Sequence, residues 1–185
     1  MQNNIIRILL ISESFWSFGA GLFFPIFAVF STQIGGDITD AGIAAAIFIL
    51  ATSVLEYPVG KLLDRYHEKF FIVADYFLEA VVFIGYIFVQ NIWQLFALQI
   101  LLGIANAIGD PAWESLYGRS SPKKHSGSMW ANSHLYIGIF NAIGILIGSY
   151  LVSMYGFSSV FVLGAVFSTI AGLFALLFID SRQSQ

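Results

Sequence analysis

The chain has 185 residues, 58% of them hydrophobic and 10% charged, with a mean hydropathy of +0.81. An ordinary soluble domain carries about 25% charged residues, so this composition excludes one. A net charge of -3 gives no reason to expect a nucleic-acid partner, and the absence of cysteine excludes disulfides and thiolate metal sites.

Read in chain order, six apolar runs reach the roughly 20 residues that a helix needs to cross a bilayer core of about 30 Å. They fall at about 5–30, 41–59, 70–89, 92–116, 129–154 and 160–179, and leave room only for short loops. The first contains Glu13 and is broken in pattern by Gly19, Gly21 and Pro25. It is too long for a cleavable leader and lacks a small-residue cleavage pattern, so no signal peptide is expected. The fourth contains Gly103, Gly109 and Pro111. The link 90–93 is so short that the third and fourth spans must be antiparallel neighbours. The fifth carries Gly138, Gly144 and Gly148, small residues that let helix backbones approach in lipid.

The basic residues alternate with the loops. Arg7 precedes the first span, and Lys61, Arg65 and Lys69 lie between the second and third. Arg119, Lys123 and Lys124 lie between the fourth and fifth, and Arg182 follows the sixth; the other loops carry none. Cytoplasmic loops collect Lys and Arg, so both termini are expected inside. The expected fold is an all-α integral membrane protein, a single six-helix bundle over 1–185 in a cell membrane.

The loop Gly60-Lys61-Leu62-Leu63-Asp64-Arg65-Tyr66-His67-Glu68-Lys69 resembles the signature of the major facilitator superfamily, G-x-x-x-D-R/K-x-G-R/K-R/K. Gly60, Asp64, Arg65 and Lys69 match, whereas His67 and Glu68 depart from it. Pro25, Gly103, Pro111 and Pro122-Lys123-Lys124 continue the resemblance along the chain. The family has twelve spans in two halves, and this chain is similar to the N-terminal half alone. Gln99 stands where the span-four motif carries Arg, and Ser149 follows Gly148 where antiporters carry Pro. The resemblance therefore reaches transport without reaching proton-coupled antiport.

The resemblance implies that Gly60, Asp64, Arg65 and Lys69 form a cytoplasmic gate, with Asp64 facing a helix N-terminus of the opposite half. It also implies that spans one and four line a central cavity, two and five meet the other half, and three and six lie outside. The halves are related by an axis along the membrane normal, so a parallel copy can replace the missing half. A homodimer or a separate six-helix partner is expected, moving a small solute with a proton as candidate coupling ion. A non-transporting scaffold and a fragment of a twelve-helix carrier are the alternatives.

Ionisable groups in a bilayer are costly and normally face a bundle interior or a watered cavity. Glu13, Asp110, Glu114, Asn106 and His134 are the candidate coupling or substrate residues. Asp75 and Glu79 share a helix face, as do Asp110 and Glu114, being four apart. Asp75, Asp110 and Glu114 have a second reading as partners of Lys61, Arg65, Lys69 or Arg119 at headgroup level, and Glu79 one as a packing residue. No enzyme is expected: the Ser126-Gly127-Ser128 loop has no nucleophile context, the aspartyl-protease motifs are incomplete, and His67, His125 and His134 form no metal pair. No cofactor is expected.

Overall fold

The computed structural model describes residues 2–122 and 126–180, and all its regular structure is helical. Lys123, Lys124, His125 and Arg182 lie outside the described residues. Helix α1 (Gln2–Phe23) leads through a 3-10 turn (Phe24–Ile26) into α2 (Phe27–Gln33). Then come α3 (Ile38–Leu63), α4 (Glu68–Ile87), α5 (Ile92–Ser120), α6 (Ser126–Tyr155) and α7 (Phe157–Asp180). Six stretches are long and apolar enough to cross a membrane: α1 to α2 taken together, and one in each of α3 to α7.

Local chemistry sets the helix ends. Pro25 has no N–H for the helix ladder, so α1 stops at Phe23 and the chain takes a tighter turn before helix resumes. Helix α3 opens on a capping box. The Asp40 N–H donates to Asp37 Oδ1 at 2.9 Å and the Asp37 N–H returns to Asp40 Oδ2 at 3.0 Å. The Asp40 N–H holds the exposed Asp37 carboxyl below its ordinary range. The folded value is the lower one, so this cap contributes above the unfolded value and is lost as pH falls through the folded one. Asn91 caps α5 by accepting from the Gln94 N–H at 3.1 Å.

The helices form an open arc in the order α3, α5, α4, α7, α1, α6, with α1 also touching α5 and α6 touching α7. Helices α3 and α6 stand at its two free ends. Each buries only three residues: Ala41, Ala44 and Val59 on α3, and Ser133, Gly144 and Gly148 on α6. One end of the bundle carries Arg7, Lys61, Arg65, Lys69 and Arg119 and is called the basic end below. Two apolar cores divide the interior. Leu9, Ile72, Tyr76, Trp113 and Tyr117 fill the half towards the basic end, and Leu22, Phe30, Tyr86, Leu95 and Phe161 fill the far half.

Glycines attach both free helices to the arc. A Cβ at Gly103 on α5 would lie 2.6 Å from Ala51 Cβ and 2.8 Å from the Phe48 carbonyl oxygen of α3. One at Gly148 on α6 would lie 2.6 Å from the Leu22 Cα of α1, and Gly144 meets the Phe18 carbonyl in the same seam. These are backbone-to-backbone approaches, the form of association that lipid permits when apolar exclusion is absent. Gly138, expected with them as a packing glycine, has nothing within 4 Å. It points away from α1, because six residues separate it from Gly144 and carry it most of the way to the opposite helix face.

Gly148→Ala should destabilise the bundle by about 1–3 kcal/mol, since the obstructing atoms are backbone and cannot swing aside. Gly138→Ala should stay within about 0.5 kcal/mol of the parent. Unfolding midpoints in mixed detergent micelles compare the two directly, and equal midpoints would refute the α1–α6 seam.

Candidate functional site

A cavity of about 400 Å³ opens in the half of the bundle away from the basic end. Helices α1, α3, α4, α5 and α6 all contribute to its wall. Half of the residues that line it are aromatic: Trp16, Phe23 and Phe24 on α1 and the turn, Phe27 on α2, Phe48 on α3, and Phe83 and Tyr86 on α4. Four polar side chains converge on it: Glu79, Gln99, Asn106 and Asn141. An apolar pocket of this size with a few convergent polar groups has the form of a small-molecule site.

The antiparallel α4–α5 hairpin places the polar groups. Gln99 Nε2 donates to Tyr86 Oη at 3.1 Å, and Asn106 Nδ2 donates to Glu79 Oε1 at 2.6 Å. Seven residues, about two helical turns, separate the first pair from the second on each strand of the hairpin. Two turns along both antiparallel helices therefore repeat the same facing geometry. The Trp16 Nε1–H from α1 donates to Glu79 Oε2, so both carboxylate oxygens are held by donors from different helices. The sequence reading had Glu79 packing against span two or four; it meets span four through Asn106, and is also buried at the cavity wall with Trp16 as its second donor.

The same register continues towards the basic end. Asp75 lies one turn before Glu79 and packs its carboxylate against Gly109, beside Asp110. It is 4% exposed, and its Oδ1 has no hydrogen-bond partner among the described residues. Among the described residues no ion pair joins it to Arg119, which binds Glu68. Glu13 points at α4, where the Tyr76 hydroxyl donates to its Oε2 at 2.8 Å; it does not line the cavity. Glu13, Asp75, Glu79 and Asp110 thus form one acidic cluster fed by α1, α4 and α5.

Asp110 and Glu114 are exposed on α5, with the half-buried Glu56 of α3 near Asp110. His134 is exposed on α6, its ring 6.2 Å from that of Trp130, and is not part of the cavity wall. Of the candidate residues, only Asn106 lines the cavity. Sequence reasoning missed Trp16 and Tyr76 as donors, and Gln99 as a cavity residue. Asn141, whose Nδ2 donates to the Ser17 carbonyl at 3.2 Å, also reaches the wall.

At the basic end a second cavity of about 500 Å³ is lined by Asp64, Arg65, His67, Glu68, Lys69 and Arg119, among others. Asp64 closes α3 as its C-cap and is exposed, as is Arg65, while Gly60 and Lys69 are half-buried. Glu68, a departure from the motif at this position, is buried and forms an ion pair with Arg119 of α5, helped by the Ser115 hydroxyl at 3.3 Å. That pair ties the first turn of α4 to the last turn of α5.

Six apolar spans, interior carboxylates and a cavity rich in aromatic side chains define a multi-pass integral membrane protein with a solute-sized site. The family model of the Major Facilitator Superfamily matches residues 9–185, and the chain belongs to that superfamily, one of transporters rather than enzymes. The chain is 34% identical over 145 residues to the uncharacterised MFS-type transporter MJ1560 of Methanocaldococcus jannaschii, covering 75% of this chain and 36% of that protein. It is 31% identical over 171 residues to the multidrug resistance protein MdtG of Proteus mirabilis, covering 89% of this chain and 42% of the relative. The chain therefore spans well under half the length of these two relatives. Against the uncharacterised MFS-type transporter YitZ of Bacillus subtilis it is 22% identical over 156 residues, and the match covers 95% of that protein. Among solved structures, the POT family transporter PepTSo has the same fold over 94% of this chain and 37% of its own, with a TM-score of 0.73 at 16% identity.

Removing either partner of the Glu68–Arg119 pair should have unequal effects. Arg119→Ala strands a buried carboxylate and should cost about 1–3 kcal/mol, whereas Glu68→Gln leaves an exposed guanidinium in water and should cost less than half of that. Thermal unfolding of the two variants in detergent reads the difference, and the reverse order would exclude a tether of this kind.

Proposed function

We propose that the chain is one half of a secondary transporter, moving a small solute by alternating access once a second six-helix unit covers its open face. The observation that carries this is the position of the polar groups on that face. Asp110 lies about 15 Å along α5 from Ser120, well within the span, yet it is exposed, and so are Glu114 and, on α6, Asn132 and His134. Hydrocarbon does not tolerate a carboxylate at that depth; a protein wall or a watered cavity does. The same face is where α3 and α6 bury almost nothing.

A second copy of the chain is the proposed cover. Both termini are placed on the cytoplasmic side by the Lys and Arg distribution, so two copies insert in parallel and can relate by a two-fold axis along the membrane normal. The chain then stands as the equivalent of the N-terminal half of a twelve-span carrier, and α3 of one copy faces α6 of the other. The near full-length match to YitZ supports a six-helix unit that works as such. The name of the MdtG relatives supports an organic solute.

Within this reading the loop of Gly60, Asp64, Arg65 and Lys69 is the cytoplasmic gate, bordering the cavity at the basic end. Asp64 is free of α3's interior and exposed, as a group reaching for the other half must be. Glu13 and Asp110 are the coupling carboxylates, with Glu114 beside Asp110 on the open face. No two conformations need differ by more than a few kcal/mol for such a cycle to run, provided the solute binds both.

Leu50→Cys on α3 and Leu146→Cys on α6, both on exposed surface of a chain with no other cysteine, should form a disulfide between copies in nanodiscs, with a particle mass of two chains. A monomeric particle without cross-link would overturn the pairing. In liposomes, Glu13→Gln should flatten the pH dependence of uptake, and an unchanged profile would remove Glu13 from coupling.

A further inference from the structure

The cavity away from the basic end has a chemistry that selects its occupant. Aromatic side chains from α1, the turn, α2, α3 and α4 line its wall, and aromatic rings attract cations. Its one carboxylate, Glu79, is fixed by Trp16 and Asn106, which leaves further lone pairs on each oxygen for a ligand. No Lys, Arg or His is among the described residues that line it, so no cationic side chain there balances an anion. Behind Glu79 stand Asp75, Asp110 and Glu13, three further carboxyl groups. The polar remainder, Gln99 and Asn141, is already engaged with Tyr86 and the Ser17 carbonyl.

We propose that this cavity binds a monovalent organic cation with an aromatic or branched apolar body, the cationic group lying against Glu79 and the body between the rings of Phe27, Phe48 and Phe83. Phe24, 78% exposed at the broken end of α1, stands at the mouth and is the first ring that such a solute meets. A neutral apolar solute would leave Glu79 unused, and a carboxylate or phosphate would find no cationic partner among the described lining residues. Trp16 serves twice, as a ring in the wall and as the donor that fixes the carboxylate's orientation. The assignment depends on the carrier reading only for calling the occupant a transported solute; binding itself needs no second half.

The test is equilibrium binding of radiolabelled benzyltrimethylammonium to the full chain in nanodiscs, with the similarly sized anion 4-phenylbutyrate as competitor. The cation should bind saturably and the anion should fail to displace it. Glu79→Gln should weaken cation binding about tenfold or more, and Phe48→Ala should weaken it by a smaller factor. Leu173→Ala, on the exposed surface of α7 and outside the cavity, should leave it unchanged. Displacement by 4-phenylbutyrate at the same concentration as by unlabelled cation would overturn the proposal, as would unaltered affinity in a folded Glu79→Gln variant. If Glu79→Gln does not fold, the cation-against-anion comparison on the parent chain still decides. Binding with these properties from a particle that transports nothing would sink the carrier reading and leave the site standing. Transport that persists without cation selectivity would do the opposite.

Discussion

Hydrocarbon offers a carboxylate neither a donor nor water, and this constraint decides where the polar side chains of the spans come to rest. Glu79 and Glu13 meet it inside the chain. Trp16 and Asn106 hold the first and Tyr76 holds the second, so α1, α4 and α5 are stitched by polar contacts as well as packing. Asp110 and Glu114, exposed on α5, are not held in this way. The apolar cores and glycine seams bring the helices together, and the buried acids add the polar contacts that fix which helices touch.

The spans were legible because a bilayer imposes a length and a composition that survive without any knowledge of packing. Their ends were read short: α3 runs from Ile38 to Leu63 and α6 from Ser126 to Tyr155, since polar residues at the headgroup level extend a helix without extending its apolar run. The partners of the acids were harder. Trp16 and Glu79 are 63 residues apart, as are Glu13 and Tyr76, and nothing in a single sequence fixes the register of α1 against α4. The tight link made α4 and α5 antiparallel neighbours without setting their register: counting outward from it pairs Tyr86 with Trp93, whereas Tyr86 meets Gln99 and Glu79 meets Asn106. The small residues of α6 were legible as a class but not as a face: angular position separates Gly138 from Gly144 and Gly148.

The motif loop shows how a departure from a family pattern can be absorbed. An acid at position 68, where the pattern carries a base, would be an uncompensated buried charge if Arg119 were not one helix away. Sequence alone records the mismatch. The α4–α5 packing supplies the reason for it, by converting a loop charge into a strap across the end of the hairpin. The likeness to a POT family transporter at 16% identity fits this picture, in which helix arrangement persists while individual contacts are rewritten.

The two polar pairs of the α4–α5 hairpin have a mechanical consequence. Sliding one helix past the other by a turn would break the Tyr86–Gln99 and Glu79–Asn106 bonds together, stranding a carboxylate in a medium that cannot solvate it. The hairpin is thus indexed like a toothed rack, with no intermediate setting between engaged and disengaged. Any large movement of this molecule must carry α4 and α5 as a single rod, and its pivots must lie in the glycine seams, where backbones meet without polar teeth.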